Sequence, residues 1–333
     1  MATRKTSVCV TNVGEGFNEN AIMIRTQENR VVVVAGRDRR EMVREAITCL
    51  GDEFKQRVET ARRIFVHPNL VNYQRQAACT HVEATRGVID HISLIRGDEV
   101  LVGDAGYHDT KKAFDAFDYP SLARSGNVRL IDLNDDETIQ SFAYTANMEK
   151  RPIGFSKTVA ESDFNIVVVP AKMHSYYTVS LVLKTHIVGS EVVKKSPFGI
   201  HARWQWLHTG YKPAHTTLAD VYIEHPAKLA IIDGTCAMEG NGPASGQEIN
   251  LGWVIASFNP IAADALAAYL MGFEPEKEIG YLYFLQQKNQ GPIKISEMEI
   301  QGPRPETMRR ELKRPDSWPD ILEWRNDMSI VEK

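Results

Sequence analysis

The sequence predicts an α/β protein in which a mostly parallel sheet carries helices on both faces. Short apolar runs rich in β-branched residues alternate with amphipathic stretches of helical period, as in parallel sheets that are covered on both sides. Several of these runs end abruptly in polar residues, which is typical of strands that deliver side chains to one sheet edge. At 333 residues, the chain has room for about two domains, and we expect two closely associated α/β lobes.

The elements follow from the local pattern in chain order. Strands are predicted at residues 31–34, 64–66, 100–102, 128–132, 165–169, 229–232 and 254–256. Helices are predicted at residues 41–50, 82–92, 110–116 and 260–271, the last with Pro260 at its start and Gly272 after its end. A weak change of composition near residue 150 divides the chain into an N-terminal lobe (1–150), a C-terminal lobe (151–303) and a polar tail (304–333).

Composition and charge argue against some classes of partner. The net charge of −4 offers no basic excess to recruit a nucleic-acid backbone. No apolar run reaches the roughly 18–20 residues that span a bilayer, and the first residues lack the apolar core of a signal peptide. We therefore expect a cytoplasmic protein that binds a small molecule rather than nucleic acid or a membrane. Assembly into a homo-oligomer stays open.

The four cysteines, at Cys9, Cys49, Cys79 and Cys236, are widely separated in the sequence. An iron–sulfur cluster normally takes its thiolates from closely spaced cysteines, so we expect no such cluster. The sequence does not identify a cofactor, and a bound divalent metal stays open.

Four predicted strands are followed by polar residues, at Asn69, at Asp104, at the segment from Lys172 to His174 and at Asp233. The carboxyl ends of parallel strands meet at one sheet edge, where α/β proteins bind ligands, so these side chains are expected in one cleft. Lysine neutralises an anionic group as a point charge, and histidine moves protons near neutral pH. Lys184, ten residues after His174, joins them if a loop folds between the two. The predicted catalytic residues are Lys172, His174, Lys184 and Asp233.

The segment 233–246 is rich in glycine and carries Glu239, which is suited to act as an acid, a base or a cation ligand. It lacks the Gly-Lys-Ser/Thr ending of a phosphate-binding P-loop, and a plain connection between two strands is the alternative. Asp264 lies in an otherwise apolar predicted helix and therefore needs a partner. Two roles stay open for it, bracing the glycine-rich segment and catalysis.

A series of histidines supplies the candidate metal ligands. His201, His208 and His215 are seven residues apart, which is two helical turns, although Gly210 and Pro213 interrupt the run. Imidazole suits zinc, nickel, iron or copper, and His201 and His208 are the metal candidates. Ordinary aromatic packing is the alternative.

The chain resembles the domain of unknown function 362 family over roughly residues 60–302. The matching motifs are Lys172-Met173-His174, Lys184, Ile232-Asp233-Gly234, Glu239-Gly240-Asn241-Gly242-Pro243, the stretch from Asn259 to Phe273, and upstream His67-Pro68-Asn69, Thr80 and Gly103-Asp104. The family usually has Lys-Pro-Asn, Lys-Thr-His and Lys-Asn where this chain has His67-Pro68-Asn69, Lys172-Met173-His174 and Lys184-Thr185. Many members carry a cysteine-rich ferredoxin module, which this chain lacks. The predicted substrate-binding residues are Asn69, Thr80, His81, Asp104, Glu239 and Asn241.

The chain is more distantly similar to the nickel-pincer lactate racemase family. That family's motif also places a histidine ten residues before a lysine, and the lysine tethers the cofactor. His174 and Lys184 match this spacing, but the glycine-rich Ser-Gly-Gly-Arg-Lys context is absent. The similarity concerns the fold and the location of the site more than the cofactor.

The main hypothesis is an enzyme that acts on a small anionic metabolite at the strand-end cleft through Lys, His and Asp acid–base chemistry. A racemase or epimerase that depends on a metal or a nickel-pincer cofactor is the first alternative. A non-catalytic protein that binds a small ligand in the same cleft is the second.

Overall fold

The computed structural model describes residues 29–325, except 195, 197–199, 202 and 204–206. Its strands, in chain order, are β1 (Arg30–Ala35), β2 (Ile64–Pro68), β3 (Val100–Asp104), β4 (Val128–Asp132), β5 (Thr138–Tyr144), β6 (Lys150–Ser156), β7 (Phe164–His174), β8 (Thr178–Ser180), β9 (Leu229–Glu239), β10 (Gln247–Ile249), β11 (Trp253–Ser257) and β12 (Glu299–Gln301). Its α-helices are α1 (Arg39–Leu50), α2 (Asp52–Thr60), α3 (Val82–Ile95), α4 (Thr110–Ala116), α5 (Lys157–Ala160), α6 (Val182–Val188), α7 (Tyr211–Glu224), α8 (Pro260–Leu270), α9 (Pro275–Glu278), α10 (Gly280–Gln287), α11 (Pro305–Met308) and α12 (Trp318–Ile321).

One mixed sheet organises these elements, with the strand order β12-β1-β11-β9-β7-β2-β3-β4. Its central run from β9 to β4 is entirely parallel, whereas β11 is antiparallel to both of its neighbours. The sequence-based prediction of a mostly parallel α/β sheet is therefore confirmed. Parallel neighbours place the carboxyl ends of β7, β2 and β3 side by side, and this edge carries the candidate site.

Helices cover both faces of the sheet, and β7 shows how the sequence divides its side chains between them. Val167 and Val169 pack into the apolar cluster that contains residues of α7, α8 and α10. Ile166 and Val168 pack into the opposite cluster, with residues of α1, α2 and α3. Successive side chains of a strand point to opposite faces, so a strand buried on both sides needs the continuous apolar run that this one has.

Most predicted elements are present, but two strands run further than the sequence pattern indicates. Strand β7 continues past Pro170 to His174, with a register irregularity against β9 between Pro170 and Lys172. Such irregularities are where a proline can be accommodated within a sheet. Strand β9 continues past Asp233 to Glu239, so only residues 240–246 of the glycine-rich segment connect β9 to β10, in a hairpin.

The boundary predicted near residue 150 coincides with the start of β6, which forms an antiparallel hairpin with β5. The main sheet takes strands from both predicted lobes. The predicted polar tail begins with exposed residues but buries Leu312, Ile321 and Trp324 against the body of the protein. No helix in the described part of the chain is long and apolar enough to cross a membrane.

Candidate active site at the carboxyl ends of β2, β3 and β7

A cavity of about 450 Å³ opens beyond the carboxyl ends of β2, β3 and β7, a size typical of small-molecule sites. Five of the predicted site residues line it, namely Asn69, Asp104, His174, Lys184 and His208. These five residues therefore lie together at the sheet edge where the strand ends meet, and the surroundings of each residue determine what it can do there.

Asn69 connects the cavity to the buried layer behind it. Its side-chain carbonyl accepts a hydrogen bond of 2.7 Å from Lys172 Nζ, and its amide nitrogen donates to Thr185 Oγ1 at 2.9 Å. Thr80 lies behind it too, since its hydroxyl accepts from the Asn69 backbone N–H and donates to the Val168 carbonyl. Thr80 therefore holds the backbone of Asn69 and does not line the cavity.

Lys172 is buried behind Asn69 and has two acceptors, the Asn69 side chain and the Ala78 carbonyl. Burial lowers its pKa to about 8, and the charges of Cys79 and Asp104 oppose that effect. Lys172 thus has a structural reason to be where it is, because both acceptors would be left unsatisfied without it.

Lys184 differs from Lys172 because its amine faces the cavity without an acceptor. The side chain is 7% exposed, and no hydrogen bond or ion pair to it occurs among the described residues. Burial, the charge of Lys172 and, less strongly, the charge of Arg203 together lower its pKa to about 7, against the opposing charge of Asp104. The Lys184 amine therefore loses its proton far more readily than an exposed lysine does.

The short helix α6 places Lys184, and Asp264 of α8 fixes the start of that helix. Residue Leu181 at the helix N-cap supplies no side-chain cap. Instead Asp264 Oδ1 accepts from the Val182 N–H at 2.8 Å, and Asp264 Oδ2 accepts from the Leu183 N–H at 3.0 Å. A carboxylate at a helix N-terminus satisfies otherwise unpaired N–H groups and complements the helix dipole. Asp264 thus caps the helix that carries Lys184 and does not brace the glycine-rich segment.

His174 ends β7 and keeps its Nδ1 on the backbone. Nδ1 accepts hydrogen bonds from the N–H groups of Tyr176 at 3.1 Å and Tyr177 at 3.3 Å. Burial, reinforced by the charge of Lys184, holds the pKa of His174 well below its usual value. The neutral ring therefore carries its proton on Nε2, which makes it a hydrogen-bond donor.

His208 lies against the Tyr176 ring, with centroids 4.1 Å apart and an angle of 22° between the planes. Burial and the charge of Lys184 lower its pKa to about 4. His208 is thus a neutral, aromatic part of the cavity wall beside His174, whose ring centroid is 6.2 Å away.

Asp104 is the carboxylate that lines the cavity, and its oxygens already have partners. Oδ2 accepts from the Leu70 N–H at 2.6 Å, and Oδ1 lies 3.1 Å from His67 Nε2. Gly189 makes this arrangement possible, because a Cβ atom there would lie 2.3 Å from Asp104 Oδ1. Any larger residue at position 189 would push the carboxylate away from His67.

Arg203 is a cavity residue that the sequence argument missed. Its guanidinium donates to the carbonyls of Glu191 and Gly106 and to the Asn134 side chain. No carboxylate among the described residues forms an ion pair with it, although burial lowers its pKa against the more distant charges of Glu191, Asp104 and Asp132. The positive charge of Arg203 therefore remains available to an anionic ligand.

Two predicted residues lie below the sheet edge. Asp233 is in register with Pro170, four residues before the end of β7, and pairs with Arg39 of α1. His81 caps α3, where its Nδ1 accepts from the Glu83 N–H at 3.2 Å. The structure does not bring either side chain into the cavity.

Glu239 and Asn241 lie on the hairpin between β9 and β10, where both bind the C-terminal tail. Glu239 Oε2 accepts from the Lys313 N–H at 2.9 Å. The Asn241 side-chain amide donates to Asp316 Oδ2 at 2.7 Å, and Asn241 Oδ1 accepts from the Asp316 backbone N–H at 2.8 Å. The side chains of Glu239 and Asn241 thus hold the C-terminal tail against the hairpin.

The metal candidates are separated in their roles. His208 lines the cavity, whereas the Nδ1 of His201 contacts the Val193 carbonyl. Among the residues that the structure describes, no three His, Cys, Asp or Glu side chains are grouped so that they could hold a metal ion. The expectation of no iron–sulfur cluster stays a prediction, since Cys9 lies outside the described residues.

Several other cavity residues also escaped the sequence argument: Tyr107, His108 and Tyr176, together with Arg203. The two at 107 and 108 follow directly after the strand-end sequence Gly103-Asp104-Ala105-Gly106, so extending that motif would have found them. Arg203 has no such signal, because it lies far from any strand end in the sequence.

Comparisons with known proteins bear on the same region. The family model described as "Domain of unknown function (DUF362)" matches residues 64–269, from the start of β2 into α8. A search of curated proteins found no match. The chain is similar to the solved lactate racemase apoprotein from Thermoanaerobacterium thermosaccharolyticum, with 12% sequence identity and a TM-score of 0.46. That alignment covers 74% of this chain and spans 58% of the racemase.

Proposed function

The chain belongs to the DUF362 family, as its motifs predicted, and from that premise we propose that it is an enzyme that moves a proton on a small anionic metabolite. The observation that carries the proposal is that Lys184 lines the strand-end cavity and that no described residue accepts a hydrogen bond from its amine. A buried lysine without a partner destabilises the fold. Such a group is typical of sites where a reaction needs an uncharged amine.

Each cavity residue has a role in this proposal that follows from its charge and its partners. Arg203 attracts the anionic group, because none of the described carboxylates forms an ion pair with it. His174 donates a hydrogen bond from Nε2, since Nδ1 is occupied by backbone N–H groups. Lys184 accepts the proton, because its lowered pKa matches the working pH that general base catalysis requires.

The acid–base groups favour catalysis over simple binding. A non-catalytic anion site would be served better by a charged lysine, and burial beside Lys172 and Arg203 works against that charge. Lys172 and Asn69 lie behind the site, where they fix one wall of the cavity.

The experiment is proton exchange in heavy water. The full-length protein is incubated in D2O with one carboxylate compound at a time, including lactate and pyruvate. Proton NMR follows the loss of the signal from the C–H group next to the functional carbon of each compound. We expect exchange with at least one carboxylate, a loss of about 10²–10⁴-fold in Lys184→Met, and a higher half-saturating concentration in Arg203→Met. His91→Gln, on α3 and outside the cavity, is the matched histidine control and keeps the wild-type rate.

Three results would count against the proposal. If no carboxylate or phosphate raises the melting temperature of the protein, the cavity does not take a small anion. If anions bind and exchange proceeds equally in Lys184→Met, Lys184 is not the proton acceptor. Binding without exchange for any anion would support the non-catalytic alternative.

A racemase that uses a metal-containing cofactor is the second candidate function. The observation that favours it is that His174 and Lys184, at the spacing of the racemase motif, line one cavity. The described residues do not supply a group of three metal ligands, so we assign no step to a metal. Two measurements on the purified protein distinguish this candidate from the first, the nickel content and the mass of the proteolytic peptide that contains Lys184. Bound nickel and a covalent group on that peptide would favour the racemase candidate.

A further inference from the structure

The surroundings of Lys184 indicate more than a proton acceptor. Positively charged groups approach it from two other elements, Lys172 on β7 and Arg203 in the segment before α7. His174 and His208 are neutral neighbours whose own pKa values are lowered partly by Lys184. The carboxylate that faces it, Asp104, is already bound by the Leu70 N–H and by His67.

The Lys184 amine differs from that of Lys172, an ordinary buried lysine, in its hydrogen-bond partners. Lys172 donates to two oxygen acceptors, so its nitrogen lone pair is not presented to a ligand. Lys184 has no acceptor among the described residues and lines a cavity large enough for a metabolite. An uncharged amine beside other cations, open to a ligand, is the arrangement in which lysine acts as a nucleophile.

The backbone beneath Lys184 is held firmly enough to aim it. Lys184 is the third residue of α6, whose first N–H groups bind both oxygens of the fully buried Asp264. Tyr281 donates to the same carboxylate at 3.0 Å. A fixed helix start limits the positions that the amine can reach.

We infer that Lys184 forms a Schiff base with the carbonyl carbon of a 2-oxo acid bound in the cavity, an inference that rests on the proposed anion site. The amine nitrogen attacks the carbonyl carbon, the C=O bond is replaced by a C=N bond, and the oxygen leaves as water. One proton is taken up to give the iminium form. No oxidant or reductant is needed.

The chemistry of each neighbour fits this step. In this step Arg203, which lines the same cavity, would attract the carboxylate of the 2-oxo acid, and His174 Nε2–H would donate to the carbonyl oxygen as it becomes water. The iminium withdraws electrons from the adjacent carbon and makes its C–H bonds acidic, which links the Schiff base to proton transfer in the same cavity.

The test is reductive trapping on the intact full-length chain. The protein is incubated with pyruvate or phenylglyoxylate and sodium cyanoborohydride, and the product is analysed by intact mass and peptide mapping. We expect one reduced adduct per chain, located on Lys184, at least tenfold faster than labelling of any other lysine. The trapping rate should rise with pH around a midpoint near the Lys184 pKa of about 7, because only the uncharged amine attacks.

Lys184→Arg keeps the charge and should give no adduct at the site. Peptide mapping of the wild-type adduct gives the same answer if that variant fails to fold. Adducts spread over surface lysines, or an adduct on Lys172 alone, would overturn the inference.

Lactate has the carboxylate of a 2-oxo acid but no keto group, so it tests the anion site without the Schiff base. If lactate raises the melting temperature in an Arg203-dependent way while pyruvate gives no adduct, the anion site stands and the Schiff base is wrong. If neither compound binds, both proposals fail.

Discussion

Two buried lysines, Lys172 and Lys184, illustrate at the scale of single residues why burial alone does not identify a catalytic group. Both come from sequence motifs, and both have a lowered pKa. Only their partners distinguish them, and partners are a property of the tertiary structure. The sequence pointed to both residues, and it had no means of ranking them.

We predict that Lys184→Met stabilises the protein although it lowers the rate of proton exchange. The folded state lowers the pKa of Lys184 from 10.5 to about 7, so the unfolded chain binds more protons between those values and wild-type stability rises with pH across that window. The stability gained on substitution should be largest below pH 7, on the order of 5 kcal/mol at about 1.4 kcal/mol per pKa unit, and should vanish near pH 10.5. Thermal unfolding at several pH values measures it.

Lys172→Met is the matched control for this prediction. It leaves the Asn69 side-chain oxygen and the Ala78 carbonyl without their donor, which costs roughly 1–3 kcal/mol for each buried group. This variant should be less stable than Lys184→Met at every pH. A Lys184→Met protein that is less stable than wild type would show that the amine has a structural role.

At the scale of elements, the sequence predicted where strands begin better than where they end. The predicted strands end at Val169 and at Ile232, yet β7 and β9 both continue beyond those residues. For this reason Asp233 lies about 13 Å before the edge, four residues at roughly 3.3 Å each, and pairs with Arg39. Whether a strand continues past a register irregularity depends on hydrogen bonds to the neighbouring strand. The local sequence carries no information about that neighbour.

Helix α6 depends on a partner 82 residues away in sequence, the length between Val182 and Asp264. We predict that Asp264→Asn destabilises the protein by about 2 kcal/mol, because an amide nitrogen would face a backbone N–H. Trapping at Lys184 should slow by at least tenfold while the lactate-induced shift in melting temperature persists. Tyr281→Phe, which removes only the hydroxyl donor to Asp264, should keep most of the trapping rate.

If Asp264→Asn loses stability without any change in trapping rate, Asp264 supports the fold and does not position Lys184. The need for a partner was predictable from an acid in an apolar helix. Which N–H groups it binds was not, because α6 and α8 meet only in the folded molecule.

At the scale of the whole molecule, the end of the described chain stabilises the rim of the cavity. Lys313 and Asp316 bind the hairpin residues Glu239 and Asn241, and the Ser317 hydroxyl donates to the carbonyl of Ser175 at 2.7 Å. Ser175 lines the cavity next to His174. The sequence predicted a polar tail on the surface and gave no sign of these contacts, which pair residues far apart in the chain.

We predict that truncation after Gly302 lowers the melting temperature by several degrees, because it removes the buried residues Leu312, Ile321 and Trp324 and exposes the apolar surface that they cover. It should also weaken anion binding, because the Ser175 carbonyl loses the hydrogen bond from Ser317. Thermal shift with and without lactate measures both effects. Asn241→Ala, which removes one link to the tail, should cause a smaller change of the same sign. Unchanged anion binding in the truncated protein would show that the tail stabilises the fold alone.

Because no residue in the described part of the chain accepts from the Lys184 amine, a ligand that arrives there changes how many protons the protein exchanges with its buffer. A bound 2-hydroxy acid places a negative charge beside the amine and raises its pKa, so above pH 7 the complex holds more protons than the separate partners. Calorimetric titration near pH 8, in two buffers of different ionisation enthalpy, should detect the uptake of up to about one proton per ligand. Lys184→Met should bind with the same heat in both buffers.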